Sequence, residues 1–347
     1  MRKWHCLHHA LVAVVILSIS LAALAACTSA PNSPAATISV KDGLGREVKI
    51  PAQVQRIVST YGIATHFVYA LGAGDKLVGV DAPSKKKTDS FFARLDPNFM
   101  NLPAPGSPGE ANLEEIIGLK PDLVLVPGRN KQMVDQLSGK GLTVFGVVAE
   151  NLQQVQDTMD ILGKALGKED VSRRFDEYYQ HVLETVGSKT RALPADGRPK
   201  VYLAGPQGFL STCSGEMYQS SLIDLAGGRN VAAQQTGGWV EVSPEQVLAW
   251  NPDVILVVRY QMETTPEKIL SDSRWQSLTA VKDKRVFWFP SELNPWDYPS
   301  PQAALGVVWL AKTLHPDTFP SLDPQQEAEW FFRQFYGRGF AELGGSL

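Results

Sequence analysis

The sequence predicts an α/β protein of two lobes with parallel sheets, joined by a single long helix. Three observations carry that expectation. A short amphipathic segment, a Pro-Asp turn and a β-branched run at 113–126 return at 244–257, every aligned pair 131 residues apart. Between the halves, one apolar stripe keeps helical spacing over roughly forty residues. The chain has 347 residues, 44% hydrophobic and 20% charged, enough for two lobes and a sizeable core.

The first element reads as an export signal. Arg2 and Lys3 precede an apolar run at 10–26, broken only by Ser18 and Ser20, that ends in Leu24-Ala25-Ala26-Cys27. We therefore expect a signal peptide at 1–26. A Ser-, Pro- and Ala-rich tether follows at 27–37, and the fold starts near Ile38. The first lobe, 38–150, opens its sheet with Arg56-Ile57-Val58-Ser59 and closes a helix at Leu71-Gly72-Ala73-Gly74. In its repeat copy, Pro121 forces the preceding residue out of helical geometry, and the unbroken run Leu123-Val124-Leu125-Val126 reads as a strand buried on both faces.

At 151–193, Leu152, Val155, Met159, Leu162 and Leu166 lead into Val171, Phe175, Tyr178, Val182 and Val186, a stripe that predicts one interlobe helix. The second lobe, 194–347, repeats the plan. Lys200-Val201-Tyr202-Leu203 opens its sheet, Leu225-Ala226-Gly227-Gly228 ends a helix, and Pro252-Asp253 starts the second repeat strand. A closing helix is expected at 323–341.

Composition excludes several functions. Without Arg2 and Lys3 the chain carries 31 basic against 36 acidic side chains, a net charge of −5 that gives no reason to expect nucleic acid. Cys6 leaves with the leader, and Cys213 is then the only cysteine besides Cys27; it reads as a small buried apolar residue. Three histidines beyond the leader, His66, His181 and His315, do not make a site for a bare divalent ion, so neither a metal centre nor a cofactor is expected. There is no Gly-x-Ser-x-Gly, His-Glu-x-x-His, Gly-x-Gly-x-x-Gly or phosphate loop, and the chain is not expected to be an enzyme.

The segments 56–59 and 71–80, Asn112-Leu113-Glu114 with Lys120-Pro121-Asp122, and Ser243-Pro244-Glu245 with Asn251-Pro252-Asp253 together resemble the substrate-binding proteins of ABC importers for metal chelates. These are the siderophore, haem and cobalamin receptors, class III periplasmic binding proteins with two Rossmann-like lobes. Leu-Ala-Ala-Cys resembles a lipobox, which implies that Cys27 carries lipid and holds a monomer on the extracytoplasmic face of the cell membrane. The resemblance further implies that Glu114 and Glu245 meet arginines of the transmembrane permease; the bland alternative is a first-turn glutamate favoured by the helix dipole. Family members commonly have Thr-Glu where this chain has Thr65-His66.

In open α/β sheets the ligand lies beyond the carboxyl ends of the strands. That rule selects the loops 60–66, 127–131, 205–217, 237–240, 259–262 and 294–298. From them we expect Tyr61, Arg129, Phe209, Met217, Trp239, Arg259, Tyr260, Trp296 and Tyr298 to line a cleft. Aromatic walls with cations suit a large planar or chelate-like ligand bearing oxyanions, an iron-siderophore, haem or cobalamin-type solute. Burial by their own loops is the competing reading for Trp239 and Trp296, and a helix starting near Tyr61 turns His66 away. The alternatives are a receptor for a non-metal organic anion and a chelate-modifying enzyme on the same scaffold.

Overall fold

The computed structural model describes residues 36–347 except Asp89, 260–262 and Ser291. The expected signal peptide, the lipidated Cys27 and Tyr260 lie outside the described residues.

A hairpin that the sequence does not lead one to expect comes first, β1 (Thr37–Lys41) with β2 (Glu47–Pro51). Asp42 closes its turn by accepting from the amides of Leu44 and Arg46, and also accepts from Gly146 N, which ties the hairpin to the first sheet. That sheet comprises β3 (Ile57–Ser59), β4 (Leu77–Gly79), β5 (Leu123–Pro127) and β6 (Val144–Val147), all parallel, in the order β4-β3-β5-β6. Every residue of β5 is buried, as its unbroken apolar run requires. Its helices are α1 (Gly62–Ala70), α2 (Phe91–Leu95), α3 (Leu113–Gly118) and α4 (Lys131–Ser138).

The expected forty-residue helix is two helices, α5 (Leu152–Leu166) and α6 (Glu169–Thr190). Gly167 caps α5 in the left-handed region at φ 64°, and the chain folds back. A Cβ on Gly163 would lie 2.8 Å from Ser172 Cβ, and Gln156 Nε2 donates to Asp176 at 3.4 Å, so the two helices run side by side. The apolar stripe is real, but periodicity is the same for a continued helix and for a hairpin whose two members bury the same face. Only α6, about 33 Å long at 1.5 Å per residue, carries on to the second lobe.

The second sheet has the order β10-β8-β7-β11-β12, with β9 also paired to β7. Here β7 (Lys200–Gly205), β11 (Val254–Val257), β12 (Val286–Trp288) and β9 (Arg229–Asn230) are parallel. By contrast β8 (Gly208–Cys213) pairs antiparallel with β7, and β10 (Trp239–Glu241) pairs antiparallel with β8. Most of the expected loop at 205–217 is therefore strand, made possible by Gly208 at φ 113°, which turns the chain straight back. The helices are α7 (Tyr218–Leu225), α8 (Pro244–Trp250), α9 (Pro266–Ser271), α10 (Thr279–Lys282), α11 (Ala303–Leu314) and α12 (Pro324–Tyr336).

Each sheet has a private core on one face, around Ile116, Val124 and Val126 in the first lobe and around Val247, Ile255 and Trp275 in the second. On the other face both sheets share one core with α1, α5, α6, α7, α11 and α12. The closing helix is shorter than expected, since Asp323 caps its start and Gly337, φ 71°, ends it. It also does not belong to the second lobe alone. Tyr336 meets Phe91 edge-on at 5.2 Å, and Arg94 Nη1 donates to Leu343 O at 3.0 Å, so the C-terminal segment seals against the first lobe.

Candidate ligand cleft and two matched helices

The carboxyl ends of β3, β5 and β6 bring three groups together. Tyr61 precedes α1 in extended geometry, with Ser59 Oγ donating to its carbonyl. Its hydroxyl is pushed up to about 12, first by burial and then by the charge of Glu150, with Arg129 opposing. Arg129 Nη2 and Glu150 Oε2 form an ion pair, and the Arg129 side chain is 77% exposed. From the second lobe, Tyr298 has its phenol raised by burial, then by the charges of Asp297 and Tyr61.

The second lobe repeats the arginine in a tighter setting. Arg259 pairs with Glu292 but is only 21% exposed, with its guanidinium 5.2 Å from the centre of the Trp288 ring. Its Nε is buried and has no hydrogen-bond partner among the described residues. In each lobe the arginine follows one strand, β5 or β11, and the glutamate follows the next, β6 or β12. Glu150 and Glu292 are absent from the residues expected on sequence grounds. The signal for them is the same strand-end rule, applied to one more strand in each lobe.

Trp239 is half-buried on the edge strand β10, with its indole over the end of β7; a Cβ on Gly205 would lie 2.5 Å from Trp239 Cε3. Met217 is half-buried beside the shared core. Two expected wall residues lie elsewhere. Phe209 packs on Tyr202 at 5.4 Å and Trp275 at 4.7 Å, half-buried against the private core, at the irregular register where β8 leaves β7. Trp296 is fully buried against Phe340 at 5.5 Å, covered by the C-terminal segment. His66 is carried inward by α1 to stack on Phe91 and Phe92, and burial pushes its imidazole down to about 3. Cys213 is fully buried and its thiol is pushed up to about 12 by burial, as a packing residue would be.

Glu114 and Glu245 are exposed in the first turns of α3 and α8. These helices match in detail at the 131-residue spacing. Asn112 and Ser243 cap them by accepting from the amides of Glu115 and Gln246. Ile116 and Val247 anchor them, each fully buried. Lys120 and Asn251 follow them with φ 49° and 43°. Asp122 and Asp253 accept from the amides at the start of the adjacent strand, Arg56 N at 2.9 Å and Lys200 N at 2.7 Å. The side chains of Arg56 and Lys200 in turn donate to the helix-end carbonyls of Leu119 and Trp250. A helix that feeds a parallel strand runs back against it, so Glu114 and Glu245 lie toward the carboxyl edge of each sheet, the edge that holds the cleft.

The periplasmic binding protein family matches residues 57–293. The molybdate-binding protein MolA of Haemophilus influenzae is 31% identical over 94% of this chain and 95% of its own length. Its molybdate-bound structure superposes with a TM-score of 0.78 at 29% identity, covering 87% of this chain and 98% of that one. A vitamin B12-binding protein of Yersinia pestis is 30% identical over 71% of this chain and 79% of its own length. The chain belongs to the periplasmic binding protein family. It is an extracytoplasmic solute receptor of the kind that serves ABC importers, and its relatives are binding proteins, not enzymes. Among the described residues no helix is long and apolar enough to cross a membrane, and no cluster of His, Cys, Asp or Glu could hold a metal ion.

Proposed function

We propose that the receptor captures an anionic metal species, with a metal oxyanion of the molybdate class as its leading ligand. The observation that carries this reading is the pair of arginines, one per lobe, at matched strand ends of the cleft. Guanidinium groups match oxyanions in charge and in donor geometry. With Phe209 and Trp296 withdrawn into packing, less aromatic surface is left for a broad planar ligand such as haem or a corrinoid. The similarity to MolA along nearly the whole chain supports the same choice. Tyr61, Trp239 and Tyr298 favour a second reading, an anionic ferric chelate. Titration calorimetry of the purified protein with molybdate, tungstate, sulfate, cyanocobalamin, haemin and ferric siderophores tests both. Saturable heat with molybdate or tungstate is expected, and binding only to the large chelates would overturn the oxyanion reading.

Delivery rests on two further proposals. Cys27 carries a lipid anchor, so Cys27→Ala should release the protein from the membrane fraction. Glu114 and Glu245 pair with arginines of the permease, one on each transmembrane subunit.

A further inference from the structure

Four large apolar side chains are exposed among the described residues, Ile117, Leu248, Trp330 and Leu347. Ile117 is 44% exposed and Leu248 37%, and they stand 131 residues apart, the repeat spacing itself. A single exposed Leu or Ile needs no explanation. Two at equivalent points of the duplicated helices, each one turn beyond Glu114 or Glu245, need one. The caps, buried anchors, left-handed exits and basic clamps described above hold both helices by the same contacts. Each lobe thus presents the same rigid post, a carboxylate with an aliphatic side chain at the next turn of the helix.

We infer that Ile117 and Leu248 are paired apolar anchors of the permease interface, each seated in a hydrophobic pocket beside the arginine that meets the neighbouring glutamate. The inference rests on the docking role proposed for those glutamates and adds a contact of different chemistry. The acidic character of the first post, with Glu114 and Glu115 both exposed, calls for a basic partner, and the duplication calls for one that offers the same pocket twice. In such an interface the charges set orientation and encounter rate, while the buried aliphatic groups slow release.

The test compares two double variants for binding to the receptor's own permease complex in lipid nanodiscs, across a range of salt. Ile117→Ser with Leu248→Ser should weaken binding about 100-fold, roughly tenfold for each side chain, and leave the salt dependence unchanged. Glu114→Gln with Glu245→Gln should instead flatten the salt dependence. The exchange Ile117→Leu with Leu248→Ile should bind like the parent. Wild-type affinity in the serine variant overturns the inference, as does a loss that the Leu/Ile exchange shares. If only the glutamine variant is impaired, the docking role of the glutamates stands without the apolar anchors. If neither variant is impaired, that role fails as well.

Discussion

Ile116 and Val247 are both fully buried beneath helices with matched caps, exits and clamps, whereas Arg129 is 77% exposed and Arg259 21%. The lobes are thus near copies at their posts and unequal in the cleft. The sheets diverge in the same way, since the second adds the antiparallel strands β8 and β10 beside the cleft and the first has no counterpart among the described residues. A surface that keeps its duplication suits a partner made of two equivalent halves. A cleft that loses it suits a ligand held unequally, with one arginine packed against Trp288 and the other in an exposed ion pair with Glu150.

The largest expected effect tests that inequality. Arg259→Ala should weaken molybdate binding about 100-fold and Arg129→Ala about tenfold, because the pre-oriented, less hydrated guanidinium loses less freedom when it binds. Calorimetry that finds equal losses would restore the symmetry of the cleft. A smaller effect comes from His66, which is buried in the first lobe. Its native pKa, about 3, lies below the ordinary value of 6.5, so the unfolded chain takes up a proton that the native state refuses. Stability from this group is complete above pH 6.5 and is lost as the pH falls toward 3. Between pH 7 and pH 5 the loss is about 2 kcal/mol. Urea denaturation of His66→Gln should show a shallower acid limb than the parent, and an unchanged limb would sink the assignment. The smallest effect tests the likeness of the posts. Asp122→Ala and Asp253→Ala should each cost about 1–2 kcal/mol in urea denaturation, equally in the two lobes. A clear difference would mean that one post is held by other contacts.

The repeat by itself makes the two lobes legible, because Pro121 and Pro252 break helices and the runs after them can only be buried strands. It also locates Glu114 and Glu245, since matched spacing survives in a linear text. The fold-back at Gly167 is not legible, because Phe175 and Tyr178 keep the same stripe whether α6 continues α5 or reverses beside it. The cleft is legible by position and not by direction. Tyr61, Arg129 and Arg259 follow strand ends and stay near them. Phe209 and Trp296 occupy similar places in the chain, but an irregular register at the start of β8 and a C-terminal segment more than forty residues away in sequence decide where they point. Glu150 and Glu292 stay hidden for a related reason, since their value lies in facing an arginine from another loop.

The core shared by both sheets has a mechanical consequence. Phe91, Phe332 and Tyr336 weld the lobes along one side, and α6 braces the weld, so the mouth opposite has little freedom to gape. Opening the lobes like a clip would have to break this shared packing. The posts ride on the sheet faces remote from the weld. A force applied there would act far from the weld; under the docking role proposed for Glu114 and Glu245, that force would come from the permease.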